Sequence, residues 1–301
     1  MNISESKQKV GIRYLSAKFN SFDDAKRLIA ISKGKYKLHE YKRMNFTVWQ
    51  HRYISGILNF LTKNNYSLEY IELQNNKELF SSCGLQRING KYNRSERQNI
   101  LKAEKQLEER LFDFVYGFPN KHHGQGKYNV IYFRAPIIRI IKNYEDISES
   151  ELKQFPEIVH SLEGKMKKKI IIVASVITDM AKDYNRKLPY DLYSEIKSVT
   201  KRVSIFHIRF IEYLHTHKKY WTKLSPSRER VIKNALMCEY LLRKGMKNLA
   251  SERTIECYGI AKKLGYIQRC VLGDEENGLD KCKDILYLNK EKFYHLRNAK
   301  T

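Results

Sequence analysis

The chain contains 301 residues, 42% of them hydrophobic, which is enough to bury one large core or two smaller ones. Lysine and arginine total 57 against 33 acidic residues, so the formal net charge is +24. This excess predicts a polyanionic partner. Nucleic acid is favoured over a membrane surface, because the longest apolar run, residues 170–177, is far shorter than the roughly 20 residues of a membrane-spanning helix.

Two further features of the sequence concern location and cofactors. The N-terminal residues lack the apolar core of a secretory signal, which predicts a cytoplasmic protein without membrane attachment. The five cysteines are scattered and form no Cys-x-x-Cys motif. They predict buried thiols in a reducing compartment, with no disulfide, no metal site and no cofactor.

The first part of the chain predicts an arm followed by a core helix. Residues 1–45 mix basic and aromatic side chains without a sustained period, and only a short helix near residues 21–31 is expected. Apolar residues then recur with helical spacing over residues 47–62. Thr47 and Gln50 at the start of this helix match a capping box.

A short strand, a short helix and a longer capped helix are expected next. The strand lies within residues 67–73, and Gly84 closes the short helix that follows it. Ser95 is the expected N-cap of the longer helix, which extends to residue 111, and Gln98 completes its capping box.

The two faces of the helix at residues 95–111 differ in polarity. The side expected to pack on the helix at 47–62 carries Ile100, Ala103, Glu104, Leu107 and Leu111. The opposite side carries Gln98, Asn99, Lys102, Lys105, Gln106 and Glu109. The polar side is therefore expected to remain free for a ligand.

Residues 112–134 predict a β-hairpin, because two strand-like runs flank a loop that contains Gly, Pro and Asn. The hairpin tip carries Lys121, His122, His123 and Lys127. The order helix, strand, helix, capped helix and hairpin is that of a winged helix. In such a fold the polar face of the capped helix enters the major groove of DNA.

A change of composition after residue 143 predicts a boundary between two domains. The expected parts are an arm at 1–45, a first domain at 46–150, a linker at 151–168 and a second domain at 169–301. An apolar strand opens the second domain. Helical structure is then expected over residues 188–216, as one or two helices, and over residues 227–245.

A short repeat relates the two domains. The Ser-Glu-Arg sequence of residues 95–97 recurs at residues 251–253, again before a helical pattern and a strand. An acidic turn at residues 274–276 separates that strand from a second one, so another hairpin is expected, with its turn facing protein or solvent. The predicted fold class is α+β and predominantly helical, with two tandem winged-helix domains.

The residue types that recognise DNA bases occur early in both capped helices. Arginine bonds bidentately to guanine, and asparagine or glutamine bonds to adenine. The predicted DNA-binding residues are Arg94, Ser95, Arg97, Gln98, Asn99, Lys102, Lys105, Lys121, His122, His123, Lys127, Arg253, Thr254, Tyr258 and Lys262. An ordinary solvated helix face is the alternative interpretation, and the hairpin and the net charge favour DNA.

An enzyme that nicks or recombines DNA is a third possibility after two classes of DNA-binding protein. His215 and His217 partly match the paired histidines of rolling-circle nucleases, with Tyr213 and Tyr220 nearby. The match lies at a helix end rather than on a strand, and no P-loop or His-x-x-Arg motif occurs in the chain. We therefore expect no catalytic site.

Three segments resemble the replication initiators of theta-replicating plasmids. "FTVWQHRYISGILNFL" is similar to the first core helix of that family, "SERQNILKAEKQLEERLFDF" to its capped helix and strand, and "SERTIECYGIAKKLGYIQR" to its last helix. The resemblance covers roughly residues 45–290 in the order of the elements.

This resemblance implies a protein that binds repeated origin sites on double-stranded DNA. It also implies recruitment of the host replicative helicase or its loader, and a homodimer that represses its own promoter. Residues of the first groove-facing helix would be Gln98, Asn99 and Lys102, and those of the second would be Thr254, Tyr258 and Lys262. A winged-helix transcriptional regulator that uses the same surfaces is the alternative.

Overall fold

A computed structural model provides the structure of the chain. It describes residues 37–38, 46–63, 70–119, 128–158, 169–173, 192–216, 223–236, 238–273 and 283–293. These residues fall into two compact units, the first ending at residue 173 and the second starting at residue 192. Helical residues outnumber strand residues, which confirms the α+β, predominantly helical class. The short helix expected near residues 21–31 lies outside the described residues.

The first three helices of the first unit follow the predicted order, and a fourth, short helix lies where the end of the domain and a linker were expected. They are α1 (Val48–Lys63), α2 (Asn76–Ser82), α3 (Arg94–Glu109) and α4 (Glu149–Gln154). The capping box before α1 is confirmed, because the Gln50 amide donates to Thr47 Oγ1 at 3.2 Å and the Thr47 amide donates to Gln50 Oε1 at 3.0 Å. Gly84 follows α2 with a φ of 72°, as expected for the residue that ends a helix.

The predicted start of α3 was wrong by two residues. Asn93, not Ser95, is the N-cap, since its Oδ1 accepts from the amides of Ser95 and Glu96 at 2.9 and 3.3 Å. The extended backbone before Asn93 ends there, so the first free amides of the helix lie within reach of its side chain. Ser95 is an exposed residue of the first turn.

The strands of the first unit form three small antiparallel sheets. They are β1 (Lys37–Leu38), β2 (Tyr70–Leu73), β3 (Arg87–Ile88), β4 (Lys91–Tyr92), β5 (Phe112–Pro119), β6 (Tyr128–Ala135), β7 (Ile138–Ile141) and β8 (Lys169–Val173). The sheet orders are β1-β5-β6, β2-β8-β7 and β3-β4. The hairpin predicted at 112–134 is confirmed as β5 and β6.

Strand β8 corrects the predicted domain boundary. It was expected to open the second domain, but it is the central strand of a sheet, between β2 and β7. Ile170 and Ile172 pack with Tyr70 and Phe155 in one apolar cluster. Strand β8 pairs with an earlier strand on each side, and its side chains pack in the same cluster as theirs. Residues 169–173 therefore belong to the first unit.

The described residues of the second unit form four α-helices and one irregular helical segment. The helices are α5 (Leu192–Val199), α6 (Ile205–Thr216), α7 (Arg228–Arg230) and α8 (Lys247–Lys263). Helical structure over 188–216 is thus present as two helices. The helix predicted at 227–245 was wrong: a π-helical turn at Val231–Leu236 and a 3-10 turn at Glu239–Leu242 follow α7.

The irregular segment has a local cause at Leu236. Its carbonyl oxygen accepts from Arg209 Nη1 at 3.1 Å and from Cys238 Sγ at 3.2 Å, whereas the Cys238 amide donates back to Ile232. These bonds direct the backbone away from the regular i→i−4 pattern of an α-helix.

A three-stranded sheet completes the second unit. Strands β9 (Lys223–Leu224), β10 (Ile267–Val271) and β11 (Ile285–Leu288) pair in the order β10-β11-β9. The second hairpin is therefore present as β10 and β11, and its acidic turn lies outside the described residues. The core beneath the sheet includes Phe210, Ile211 and Tyr266, all buried.

The repeated Ser-Glu-Arg sequence lies at different positions within α3 and α8. Ser95–Arg97 lies in the first turn of α3, whereas α8 begins at Lys247, so residues 251–253 lie one turn inside it. Ser251 is therefore not the N-cap, and its hydroxyl accepts from Arg228 Nη1 at 2.8 Å. Only the order of a helix followed by a hairpin is shared.

Candidate nucleic-acid interface

The outward face of α3 is polar and solvent-accessible. Of the residues predicted to bind DNA here, Arg94, Ser95, Arg97, Gln98, Lys102 and Lys105 are exposed and Asn99 is half-buried. This exposure confirms that the face does not pack in the core of its own unit. We call these seven residues the α3 polar face.

Positive charge on the α3 polar face is largely uncompensated. Within the described part of the chain, Arg94, Arg97 and Lys102 form no ion pair. Lys105 Nζ lies 3.6 Å from Glu109 Oε1, but both side chains are mostly exposed, so water screens the pair. Free guanidinium and ammonium groups are the donors that phosphate oxygens and guanine bases accept.

A buried carboxylate fixes the inward face of α3. Glu104 is 6% exposed, Tyr53 Oη donates to its Oε2 at 2.9 Å, and Lys169 Nζ lies 2.5 Å from both of its oxygens. Burial, reinforced by the charge of Glu104, raises the pKa of Tyr53 well above its ordinary value, so the hydroxyl stays a donor. These contacts connect α3 to α1 and to β8.

Arg52 on α1 fixes the neighbouring end of α2. Its Nε donates to the Cys83 carbonyl and its Nη2 to the Gly84 carbonyl, both at 2.6 Å, while Nη1 lies 4.0 Å from Glu96 Oε1. A Cβ at Gly56 would lie 2.6 Å from Cys83 Sγ, so only glycine permits this approach of α1 to the end of α2. The parts of α1 and α2 that lie next to the first turn of α3 are therefore closely packed.

The structure also contains a small hairpin that was not predicted. Strands β3 and β4 pair Arg87 with Tyr92 and Ile88 with Lys91 between α2 and α3. Asn89 and Gly90 form the two-residue turn with φ values of 51° and 76°. Two positive φ values are typical of a type I′ turn, for which Asn-Gly is the strongest sequence signal. That dipeptide was the available signal for this hairpin.

The larger hairpin, β5 and β6, follows α3 directly. Its strands are paired from Phe112↔Ala135 to Pro119↔Tyr128. The predicted tip residues Lys121, His122, His123 and Lys127 lie outside the described residues, so their role stays a prediction.

Two predicted DNA contacts in the second unit were wrong. Thr254 is fully buried, and its hydroxyl donates to the Ala250 carbonyl at 2.9 Å within α8. Tyr258 is 3% exposed, and its hydroxyl donates to Asp284 Oδ2 at 3.0 Å. Both side chains face the core of the second unit, on the same side of α8 as the buried Ala250, Cys257 and Ala261.

The remaining predicted residues of α8 lie on its surface. Lys262 is exposed, and Arg253 Nη1 donates to Glu256 Oε2 at 2.7 Å. This hydrogen bond, followed by the charge of Glu256, raises the pKa of Arg253. Glu252 and the partly exposed Ile255 share the same surface. The α8 surface is thus mixed in charge, unlike the α3 polar face.

Residues considered for a nuclease are buried. Tyr213 is 3% exposed and His215 is 1% exposed, and the His215 ring contacts the edges of Tyr266 and Phe293. His217 and Tyr220 lie outside the described residues. Buried side chains in an aromatic cluster cannot reach a DNA phosphate, so Tyr213 and His215 form no surface site. No group of three metal-binding side chains occurs among the described residues.

Burial is confirmed for the cysteines at positions 83, 238 and 257, whereas Cys270 is half-buried. Burial raises the pKa of Cys83 to about 12 and also raises that of Cys257. No helix in the described ranges is long and apolar enough to cross a membrane.

No protein-family model matches the chain, and no curated protein is significantly similar to it.

Proposed function

We propose that this protein binds double-stranded DNA sequence-specifically through the α3 polar face. One observation carries the proposal: Arg94, Arg97 and Lys102 lie exposed on one helix face without ion pairs to described residues. The opposite face is held by the buried contacts of Glu104. A rigidly supported helix with free cations in its first turns meets the requirements of a major-groove reader.

The order of elements supports a winged-helix assignment for both units. In the second unit a helix, a strand, a helical segment, α8 and a hairpin follow one another, and the early strand β9 pairs with the hairpin. The first unit has the same order, although its early strand β2 pairs with β8 rather than with the hairpin. We propose two tandem winged helices, with the first modified by an added sheet.

The proposed contacts divide by chemistry. Arg94, Gln98, Asn99 and Lys102 would contact base edges, because they have the donors and acceptors that read them. Arg97 and Lys105 would bind phosphates, together with the tip of the β5–β6 hairpin. Lys102 would bind a phosphate in addition to its base contact. Arg253 and Lys262 would add phosphate contacts from the second unit.

We further propose that the protein acts as a plasmid replication initiator without catalytic activity of its own. The family resemblance, two similar units and the net charge of +24 support this choice. Such a role requires repeated DNA sites, a host helicase or its loader as partner, and a homodimer for promoter repression. A transcriptional regulator would use the same surface on a single operator.

A nuclease footprint tests both levels of this proposal. Full-length protein is bound at physiological salt to DNA that flanks its own coding sequence. Protection of several regularly spaced repeats beside an A·T-rich segment would support the initiator, and one protected site over a promoter would support the regulator. Binding without any protected sequence would refute sequence-specific recognition.

A further inference from the structure

The small hairpin formed by β3 and β4 is the strongest unassigned feature of the surface. It lies within residues 83–93, where α2 and α3 are joined, whereas helix-turn-helix proteins usually need only three or four residues there. All five residues from Arg87 to Lys91 are exposed.

The hairpin is anchored on one of its faces. Tyr92 contacts Phe80 edge to face at 5.7 Å between ring centroids, and its hydroxyl donates to the Lys77 carbonyl at 3.2 Å. The Arg87 guanidinium lies 5.0 Å from the centre of the Tyr92 ring. Since Arg87 and Tyr92 are cross-strand partners, their shared face is the one that rests on the unit.

The other face is free and has an unusual composition. Successive strand residues alternate between faces, so the paired Ile88 and Lys91 lie on the side away from Phe80. Ile88 is 68% exposed, more than any other large apolar side chain in the described ranges. Neither Lys91 on this face nor Arg87 on the anchored face forms an ion pair with a described residue. An apolar side chain between two cations is complementary to DNA, which combines negatively charged phosphates with bases whose stacked faces are apolar.

The tip of the β3–β4 hairpin lies close to the N-terminal end of α3. Gly90 lies three positions before the N-cap Asn93, and a strand spans about 3.3 Å per residue, so the tip lies within about 10 Å of the helix end. The major groove is about 12 Å wide. With the helix N-terminus in the groove, a tip this close can reach the adjacent phosphate backbone.

We infer that the β3–β4 hairpin is a second DNA-binding element, in which Arg87 and Lys91 bind backbone phosphates and Ile88 wedges into the neighbouring base step. This inference rests on the proposed DNA-binding function. Apolar wedges of this kind partly unstack base pairs and kink the duplex by about 20–90°. The hairpin would thus deform the site that α3 reads.

The experiment compares substitutions that keep the β-branched shape of Ile88. The probe is a duplex recovered by the wild-type protein from a random-sequence pool, labelled at both ends for energy transfer and carrying 2-aminopurine near the site. Ile88→Thr removes apolar surface and Ile88→Val retains it, while both keep the strand preference. Leu111→Thr is the control at another exposed apolar residue of the same unit.

Wild type, Ile88→Val and Leu111→Thr should bend the duplex and increase 2-aminopurine fluorescence, and Ile88→Thr should lose both effects while retaining sequence-specific binding. Arg87→Gln and Lys91→Gln should each lower the slope of log K against log salt by about 0.9. Equal bending by Ile88→Thr, an unbent wild-type complex, or unchanged slopes would overturn the inference.

A protein-contact role for Ile88 gives a different result. Loss of self-association by Ile88→Thr in sedimentation, with DNA bending intact, would also overturn the inference. Failure of the wild type to select any sequence would instead refute the proposed function, so the two failures are distinguishable.

Discussion

Lys169 Nζ lies 2.5 Å from both carboxylate oxygens of Glu104, and this pair connects the central strand β8 to the inward face of α3. Both side chains are largely buried, at 15% and 7% exposure. Removing one partner leaves the other charge without compensation in the interior, which is strongly unfavourable. The pair therefore holds the helix that carries the α3 polar face.

Glu104→Gln is expected to destabilise the first unit by about 3–5 kcal/mol, because Lys169 keeps its charge and loses its counterion. Urea unfolding of a Trp221→Phe background, in which only Trp49 fluoresces, measures this unit. Glu109→Gln is the matched control, since it breaks the exposed pair with Lys105 and should cost less than about 1 kcal/mol. Equal effects of the two substitutions would contradict a structural role for the buried pair.

Asp284 plays the corresponding part in the second unit. It is 1% exposed and accepts from the Arg228 guanidinium, the Tyr258 hydroxyl and the Gly273 amide. Asp284→Asn should destabilise this unit by about 3–5 kcal/mol, because Arg228 is left without its charge partner.

Tyr258→Phe removes one of these hydrogen bonds and should cost only about 1–3 kcal/mol. Hydrogen exchange of the α8 amides, followed by mass spectrometry, measures both variants and reports the first unit as an internal reference. If Asp284→Asn destabilised the second unit no more than Tyr258→Phe, the ion pair between Asp284 and Arg228 would not be needed for stability.

Cys83 makes the first unit sensitive to alkaline pH. Burial raises its pKa from 9.0 to about 12, opposed by the charge of Arg52. Between these two pH values the folded chain keeps the proton of the Cys83 thiol, whereas the unfolded chain releases it. The contribution of this thiol to the free energy of unfolding is therefore fully present below pH 9.0 and is lost as the pH rises towards 12. Cys83→Ala should make the Trp49-detected stability less dependent on pH in this window. Cys270→Ala, in the second unit, should leave that dependence unchanged.

The sequence predicted most elements because their signals are local. The capping box of Thr47 and Gln50, the glycine after α2 and the hairpin after α3 each depend on neighbouring residues. Strand β8 was assigned to the wrong unit because its partners lie far away in the chain, and strand pairing over such separations leaves no local pattern. The Glu104–Lys169 pair was missed for the same reason.

The candidate site was predicted unevenly. Periodicity identified the outward face of α3 correctly, since its buried and exposed residues alternate with a strong helical period. In α8 polarity is a poor guide to the faces, because the polar Thr254 and Tyr258 are buried whereas the apolar Ile255 is exposed. The β3–β4 hairpin had an Asn-Gly signal but only four strand residues, too few for an alternating pattern.

Neutralising the α3 polar face should weaken DNA binding in a salt-dependent way. Arg97→Gln and Lys102→Gln should each reduce the slope of log K against log salt by about 0.9. Each variant makes one phosphate contact fewer, so its binding releases fewer counterions from the DNA. Lys153→Gln, at an exposed lysine on α4, is the control of equal charge change and should leave the slope unaltered. Fluorescence anisotropy over a salt series measures all three. Identical slopes for Lys102→Gln and Lys153→Gln would exclude Lys102 from the interface.

Competition anisotropy between a selected duplex and its scrambled counterpart measures sequence discrimination by α3 most directly. The wild type should prefer the selected duplex, and Gln98→Ala and Asn99→Ala should each reduce the preference by about 1–3 kcal/mol while non-specific binding persists. A wild-type protein that binds both duplexes equally, or variants with an undiminished preference, would contradict recognition of DNA sequence by this helix.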